Sequence, residues 1–477
     1  MTDIATPTGL LIAGEWQSGP DRFEVHDPSD YSVLAEVADA SVADGLDAVT
    51  AAHDAFAEWS VTPPRQRAEV LRKAFEIMTA EADTCARLIA LENGKPWRDS
   101  MGETIYAAEF FRWFSEEAAR IEGGFRYAPA RDKTIITDHR PMGVAYMITP
   151  WNFPAAMATR KIAPALAAGC TCILKPPRET PLTALWIGDV MQRAGAPAGV
   201  VNVVTTSHAG EVSSAILGDP RVATLSFTGS TWVGKSLLKQ TAERVLPSSM
   251  ELGGNAPFLV LEGADIDSAV AGAMIAKMRN GGSACTAANR FYVHESLVEP
   301  FSAGLQEAFA GLRMGPGVEP TTELGAMVSD IERDKILALL DEAAGEGVDV
   351  TPAQQAPATG AFVAPTVARG VEHGSTLTRN EIFGPVAPIV SVANTEEAVR
   401  MANDTEFGLI SYVYAADPGT GVKVARQMES GMVAINRGIA SDPAAPFGGM
   451  KESGLGREGG FAGIHEFLET QYFAVDL

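Results

Sequence analysis

From Val144 onward, short runs of strand-forming residues alternate with helical segments. That alternation limits the fold more than any other feature of the 477-residue chain. VAYMIT reads as a strand, RKIAPALAAG as a helix with Gly169 near its end, TCILK as a strand and PLTALWIGDVMQRAG as a helix. VVNVVT, ATLSF and APFLVL follow as short β-rich runs. A second series begins near Asn289, with FYVH, APIVSV, ISYVYA and MVAIN as strands and TEEAVRMAND and GVKVARQMES as helices. Strands that alternate with helices build parallel sheets covered on both faces, so two α/β domains are expected. Before them, residues 39–122 carry apolar residues at three- and four-residue spacing and predict helices; Asn93-Gly94 and Pro96 end the second of these runs. Residues 123–143 are rich in Gly, Pro and strand formers and predict a hairpin, and TQYFAVDL predicts a terminal strand that returns to that hairpin or pairs with another subunit.

Charge and composition exclude several functions. The chain has 37 Lys and Arg against 60 Asp and Glu, a formal net charge of −23. So acidic a surface argues against nucleic acid or an anionic membrane as the main partner, although a few buried arginines can still attract a small anion. Four cysteines without a C-x-x-C pair suggest neither a disulfide scaffold nor a metal ribbon, and no metal site is expected. No stretch reaches the roughly 18 apolar residues of a spanning helix. MTDIATPTGLLIAGEW has no basic segment before its apolar patch, so a cytoplasmic protein is expected.

Gly229-Ser-Thr-Trp-Val-Gly234-Lys235-Ser236 follows the strand ATLSF and opens a helical run. Glycines admit a phosphate close to the backbone, and a helix N-terminus offers free N–H groups, so a dinucleotide pyrophosphate fits here. The same letters satisfy the G-x-x-x-x-G-K-S/T loop of nucleotide hydrolases, with FLVLE (Phe258 to Glu262) posing as the Mg²⁺-linked acid. They are also compatible with an ordinary helix start. On this segment alone all three readings stay open.

Three further segments carry chemistry. ITPWNFP (Ile148 to Pro154) ends a predicted strand, where ligands gather in open α/β sheets, and its Asn152 amide suits a developing oxyanion or a simple turn before Pro154. MELGGN (Met250 to Asn255) places Glu251 beside a Gly pair, as a general base or a surface charge. NGGSACTAANR (Asn280 to Arg290) surrounds Cys285 with small residues that leave room at the sulfur, which suits a nucleophile better than core filler. Together they fit one reaction. A Cys285 thiolate adds to an aldehyde, Asn152 and the Cys285 N–H hold the oxyanion, hydride leaves to a nicotinamide, and Glu251 activates the water that hydrolyses the thioester.

In these motifs the chain resembles the NAD(P)-dependent aldehyde dehydrogenases. ITPWNFP, FTGSTWVGK, MELGGN, the Cys285 loop, EIFGPV (Glu381 to Val386) and PFGGMKESGLGRE (Pro446 to Glu458) occur in family order, from Gly14–Trp16 nearly to the C-terminus. The resemblance favours the dinucleotide reading over a phosphate-loop ATPase or a non-catalytic structural protein. It implies Cys285 as nucleophile, Asn152 as oxyanion donor, Glu251 as base, and Lys161 and Glu458 as a proton relay. It places cofactor contacts at Thr149 and Trp151, at Gly229, Ser230 and Gly234, and at Leu252, with Glu381 and Phe383 near the nicotinamide ribose and ring. It further implies a five-stranded Rossmann-type cofactor domain (1–122 and 143–253), an α/β catalytic domain (254–462) and a small β oligomerisation element (123–142 and 463–477), assembled as a homodimer or homotetramer. The family usually has Glu where this chain has Trp232.

Two departures point to cofactor and substrate. Lys175 in ILKPPRETP matches the lysine on the adenosine ribose, and three residues later, where NAD-preferring members usually carry Glu, stands Arg178. A guanidinium pairs with a 2′-phosphate, so NADP is expected ahead of NAD. Arg160, eight residues after Asn152, and Arg279, six before Cys285, flank the chemistry. The chain is most similar to the succinate-semialdehyde dehydrogenases, which carry both arginines and a Ser at 441. The expected substrate is an aldehyde with a terminal carboxylate held by Arg160, Arg279 and Ser441, with glutarate semialdehyde, glycolaldehyde or aromatic aldehydes as the broader alternative. Ala287 stands two residues after Cys285, so no second thiol is available there for a redox-switch disulfide.

Overall fold

The computed structural model describes residues 6–476. The reading of the extreme N-terminus as lacking a leader falls partly on residues 1–5, outside the described residues. At the centre of the first sheet lie five parallel strands in the order Val201–Val203, Thr171–Lys175, Val144–Ile148, Val222–Thr228 and Ser248–Glu251. Antiparallel strands extend it to eight: Leu10–Ile12 and Glu15–Gln17 at one edge, Gly454–Leu455 at the other. Every residue of Val144–Ile148 and Thr171–Lys175 is buried, as strands covered on both faces must be. Between these two strands runs the helix Pro154–Ala168, buried along its whole length and stopped at Gly169.

The second sheet has six parallel strands in the order Thr366–Ala368, Val386–Val392, Ala288–His294, Ala256–Val260, Ile410–Tyr414 and Met432–Ile435. Both expected strand–helix alternations are present. The hairpin is Gly124–Tyr127 paired with Thr134–Pro141, and the terminal strand Leu468–Val475 does return to it, making a three-stranded sheet. One helical run differs from expectation. The segment read as continuous from residue 65 to 94 breaks at Glu81 into the helices Pro64–Ala80 and Ala82–Asn93. The kink lets the second helix turn Glu92 beneath the helix Leu182–Ala194, where its carboxylate accepts from the N–H groups of Leu182 (2.7 Å) and Thr183 (2.9 Å).

The segment Leu252–Asn255 carries the chain from the C-terminal end of the first sheet's Ser248–Glu251 strand straight into the second sheet's Ala256–Val260 strand. The site therefore lies where the two sheets meet.

Candidate active site

The loop after Val144–Ile148 is held from beneath. Lys95 donates to the Asn152 carbonyl (2.6 Å) and to Glu103 (2.5 Å), with its ammonium 4.1 Å from the Phe153 ring centre. Glu103 accepts from the N–H groups of Ala155 (2.8 Å) and Ala156 (3.2 Å), two of the unpaired donors in the first turn of the Pro154–Ala168 helix. A second donor to the Asn152 carbonyl is the Asn280 side chain (2.7 Å), which also donates to Ser283 O (3.0 Å). The Asn152 amide itself donates to Ser283 O (3.1 Å). An amide NH₂ has two hydrogens, so one remains for a ligand.

The cysteine loop approaches along a left-handed turn. Asn280, Gly281 and Gly282 all have positive φ, and a side chain on Gly282 would strike the Gly384 carbonyl. From the other side, a Cβ on Gly254 would lie 2.7 Å from the Cys285 carbonyl oxygen. The small residues read as room for substrate thus also let three backbone segments meet around the sulfur. Cys285 is half-buried, the only one of the four cysteines not fully buried. Burial pushes its thiol up to about 12, against the pull of Arg160 and Arg279.

Four charged groups meet beside it. Lys161 donates to Glu458 (2.5 Å) and Ser226 (2.9 Å). Arg160 lies 3.5 Å from the other Glu458 oxygen and donates to the Tyr106 hydroxyl (2.7 Å). Phe447 stacks 4.1 Å from the Arg160 guanidinium carbon. Although Arg160 is only 2% exposed, its Nε and Nη1 have no hydrogen-bond partner, and neither has either oxygen of Glu251. Burial, and then the Glu458 charge, hold the Glu251 carboxyl well above the usual carboxylate range. Arg279 stacks 5.2 Å from Phe153 and donates to Thr286 (3.3 Å). Ser441 is half-buried in the loop that leads to Phe447.

On the opposite side, Ser230 caps the helix Thr231–Ala242 by accepting from Val233 N–H, Gly229 N–H donates to Glu251 O (3.0 Å), and Gly234 packs on Leu252. Lys235 pairs with Glu452, and Glu262 is exposed beyond a strand of the other sheet, so the nucleotide-hydrolase reading loses its lysine and its acid. The residues fit a dinucleotide. The hydroxyls of Thr228 and Thr231 at this helix start are buried without partners, and a Cβ on Gly253 would lie 2.8 Å from Glu381, which accepts from Gly254 N–H (3.1 Å). Phe383, at a positive φ, sets its ring edge-on to Trp151 at 5.3 Å and accepts from Ser283 Oγ (3.3 Å). Thr149 N–H donates to Lys175 O (3.3 Å), and burial lowers the Lys175 ammonium to about 8. Arg178 is exposed, 5.9 Å from the Phe23 ring centre. Trp232 is 79% exposed, and nothing in the structure explains Trp at that position.

The sequence reading missed Lys95, Glu103, Asn280, Tyr106 and Phe447. Of these, Asn280, next to the cysteine-loop glycines, and Phe447, in PFGGMKESGLGRE, lay within motifs already singled out. Among the described residues no group of three or more His, Cys, Asp or Glu is arranged to hold a metal, and no helix is long and apolar enough to cross a membrane.

The family model described as Aldehyde dehydrogenase family matches residues 16–473. The chain is 48% identical to a succinate-semialdehyde dehydrogenase of Paenarthrobacter nicotinovorans over 93% of its own length and 99% of that protein's. It is 43% identical to a 3-sulfolactaldehyde dehydrogenase of Pseudomonas putida, covering 99% and 98% of the two chains. A solved structure described as an NADP-dependent enzyme of E. coli superposes with a TM-score of 0.97 at 41% identity, covering 99% of this chain and 98% of that one.

Proposed function

The chain belongs to the aldehyde dehydrogenase family, and from that premise we propose that it oxidises succinate semialdehyde to succinate, with NADP preferred over NAD. The observation that carries this reading is the buried Arg160 guanidinium near Cys285, whose Nε–H is unpartnered and whose Nη1 reaches only Glu458, at 3.5 Å. A buried cation with free donors calls for an anionic ligand, because an unsatisfied charged donor is costly. Arg279 also acts on the thiol, and Ser441 completes the carboxylate site.

Each group then has one task. Cys285 attacks the aldehyde carbon and carries the substrate as a hemithioacetal, then as a thioester. The free hydrogen of the Asn152 amide, together with the Cys285 N–H, holds the oxyanion, a donor of this kind being worth about 3 kcal/mol of barrier. Glu251, with both oxygens free, takes the proton of the water that hydrolyses the thioester, and Lys161 and Glu458 pass it onward. The nicotinamide dinucleotide supplies the hydride acceptor when bound. Glu381 and Phe383 orient its ribose and ring, Lys175 its adenosine ribose, and Thr149, Trp151, Leu252 and the Gly229–Gly234 turn its remaining parts. Arg178 faces the 2′-phosphate; the likeness to an enzyme described as NADP-dependent supports this choice. In this reading the first sheet is the dinucleotide-binding module and the second the catalytic module. The three-stranded sheet, with Phe125, Tyr127, Tyr472 and Phe473 exposed, joins copies of a cytoplasmic homo-oligomer.

Similarity to a 3-sulfolactaldehyde dehydrogenase favours one second reading, an aldehyde ending in a sulfonate, which the same arginines would bind. The test is kcat/KM for succinate semialdehyde, 3-sulfolactaldehyde and butanal, each with NADP and NAD. Succinate semialdehyde with NADP should lead, and Arg160→Ala or Arg279→Ala should raise its KM strongly with much less effect on butanal. Equal losses on both aldehydes refute the clamp.

A further inference from the structure

Arg160 is boxed by aromatic rings. Its guanidinium carbon lies 4.1 Å from the ring centre of Phe447, 5.2 Å from Phe110 and 5.7 Å from Tyr106, and Tyr106 meets Phe110 edge-on at 4.9 Å. This cage fixes the plane of the guanidinium. Tyr106 does more than pack. Its hydroxyl oxygen accepts from Arg160 Nη2 at 2.7 Å, so its own hydrogen is turned away from Arg160. The described residues offer that hydrogen no acceptor. Tyr106 is half-buried, unlike its fully buried neighbours Phe110 and Arg160. A donor beside the Arg160 Nε–H, which also lacks a hydrogen-bond partner, offers two hydrogens to one small anion, while Nη1 stays with Glu458.

We infer that Tyr106 is a specificity-determining residue: its O–H donates to the substrate's terminal carboxylate while its oxygen anchors Arg160. This rests on the carboxylate-clamp reading above and adds to it a hydroxyl contributed by the helix Trp97–Glu117.

The test is Tyr106→Phe, which keeps the ring and its packing and removes only the hydroxyl. The ratio of kcat/KM for succinate semialdehyde to that for butanal should fall about 10-fold, mostly through KM, as expected for a lost hydrogen bond to a charged group. In a second measurement on the same variant, protection of Cys285 from iodoacetamide by succinate should require about 10-fold more succinate than in the unaltered enzyme. An unchanged ratio and unchanged protection overturn the inference while leaving the clamp intact. If the unaltered enzyme itself shows no preference for succinate semialdehyde over butanal, the clamp fails and this inference falls with it.

Discussion

Lys95 and Glu103 form an ion pair with no exposed side-chain surface, 2.5 Å apart, directly beneath the Asn152 loop. Lys95 also holds the Asn152 carbonyl, and Glu103 holds the start of the Pro154–Ala168 helix. The pair thus ties the oxyanion donor to the helix Trp97–Glu117, which also carries Tyr106. Removing one member of such a pair strands the other charge out of water. Lys95→Met should therefore cost about 3–5 kcal/mol of stability, read by urea denaturation. The double variant Lys95→Met/Glu103→Gln should recover part of that loss, because Gln still accepts from Ala155 and Ala156 and strands no charge. A single variant no less stable than the double would show that the pair does not bear on the loop.

The Cys285 thiol is pushed up to about 12 by burial, so without cofactor it is neutral at physiological pH. Only the thiolate is alkylated, so the rate of iodoacetamide modification should climb about tenfold per pH unit from pH 7 to 10. Arg160 pulls the thiol's pKa down, and Arg160→Gln should slow the reaction at every pH in that range. A plateau below pH 9 would contradict the placement of the sulfur.

Glu251 can act as a base only when ionised, and burial and Glu458 both oppose its ionisation. Activity should therefore rise with pH through the raised pKa of this carboxyl. Glu458→Gln removes one of the two charges or barriers that raise it, while Arg160, Lys161 and Arg457 continue to lower it. The rising limb should move to lower pH, measured as the pH dependence of p-nitrophenyl acetate hydrolysis. A shift toward higher pH would remove Glu251 from the role of base.

Arg178 is exposed, so its charge can meet a phosphate. Arg178→Glu should change the ratio of NADP to NAD affinity by at least about tenfold in favour of NAD. Isothermal titration with each dinucleotide reads this without turnover. An unchanged ratio would place the 2′-hydroxyl elsewhere.

Much of this architecture is legible in the one-dimensional pattern. VAYMI and TCILK are uninterrupted apolar-rich runs because both faces of a central parallel strand are covered, and each became a fully buried strand. The motif order likewise led to Cys285, Glu251 and Asn152, which the fold gathers around the meeting of the two sheets. The break at Glu81 was not legible, since the apolar spacing continues through it and only the docking of Glu92 under another helix explains the kink.

Local periodicity and motif spacing determined the α/β class, the strand–helix order and the residue types that bear the chemistry, because each depends on neighbours a few positions away. Tertiary structure alone decided which charges share a site. Lys95 meets Asn152, Tyr106 meets Arg160 and Lys161 meets Glu458 across 57, 54 and 297 positions of chain. It also decided that Gly234-Lys235 is part of a helix paired to Glu452 and not a nucleotide-hydrolase loop. Burial is the physical reason. An ammonium, a guanidinium or a carboxylate withdrawn from water must find its partner wherever the folded chain brings one, and no local pattern records that meeting.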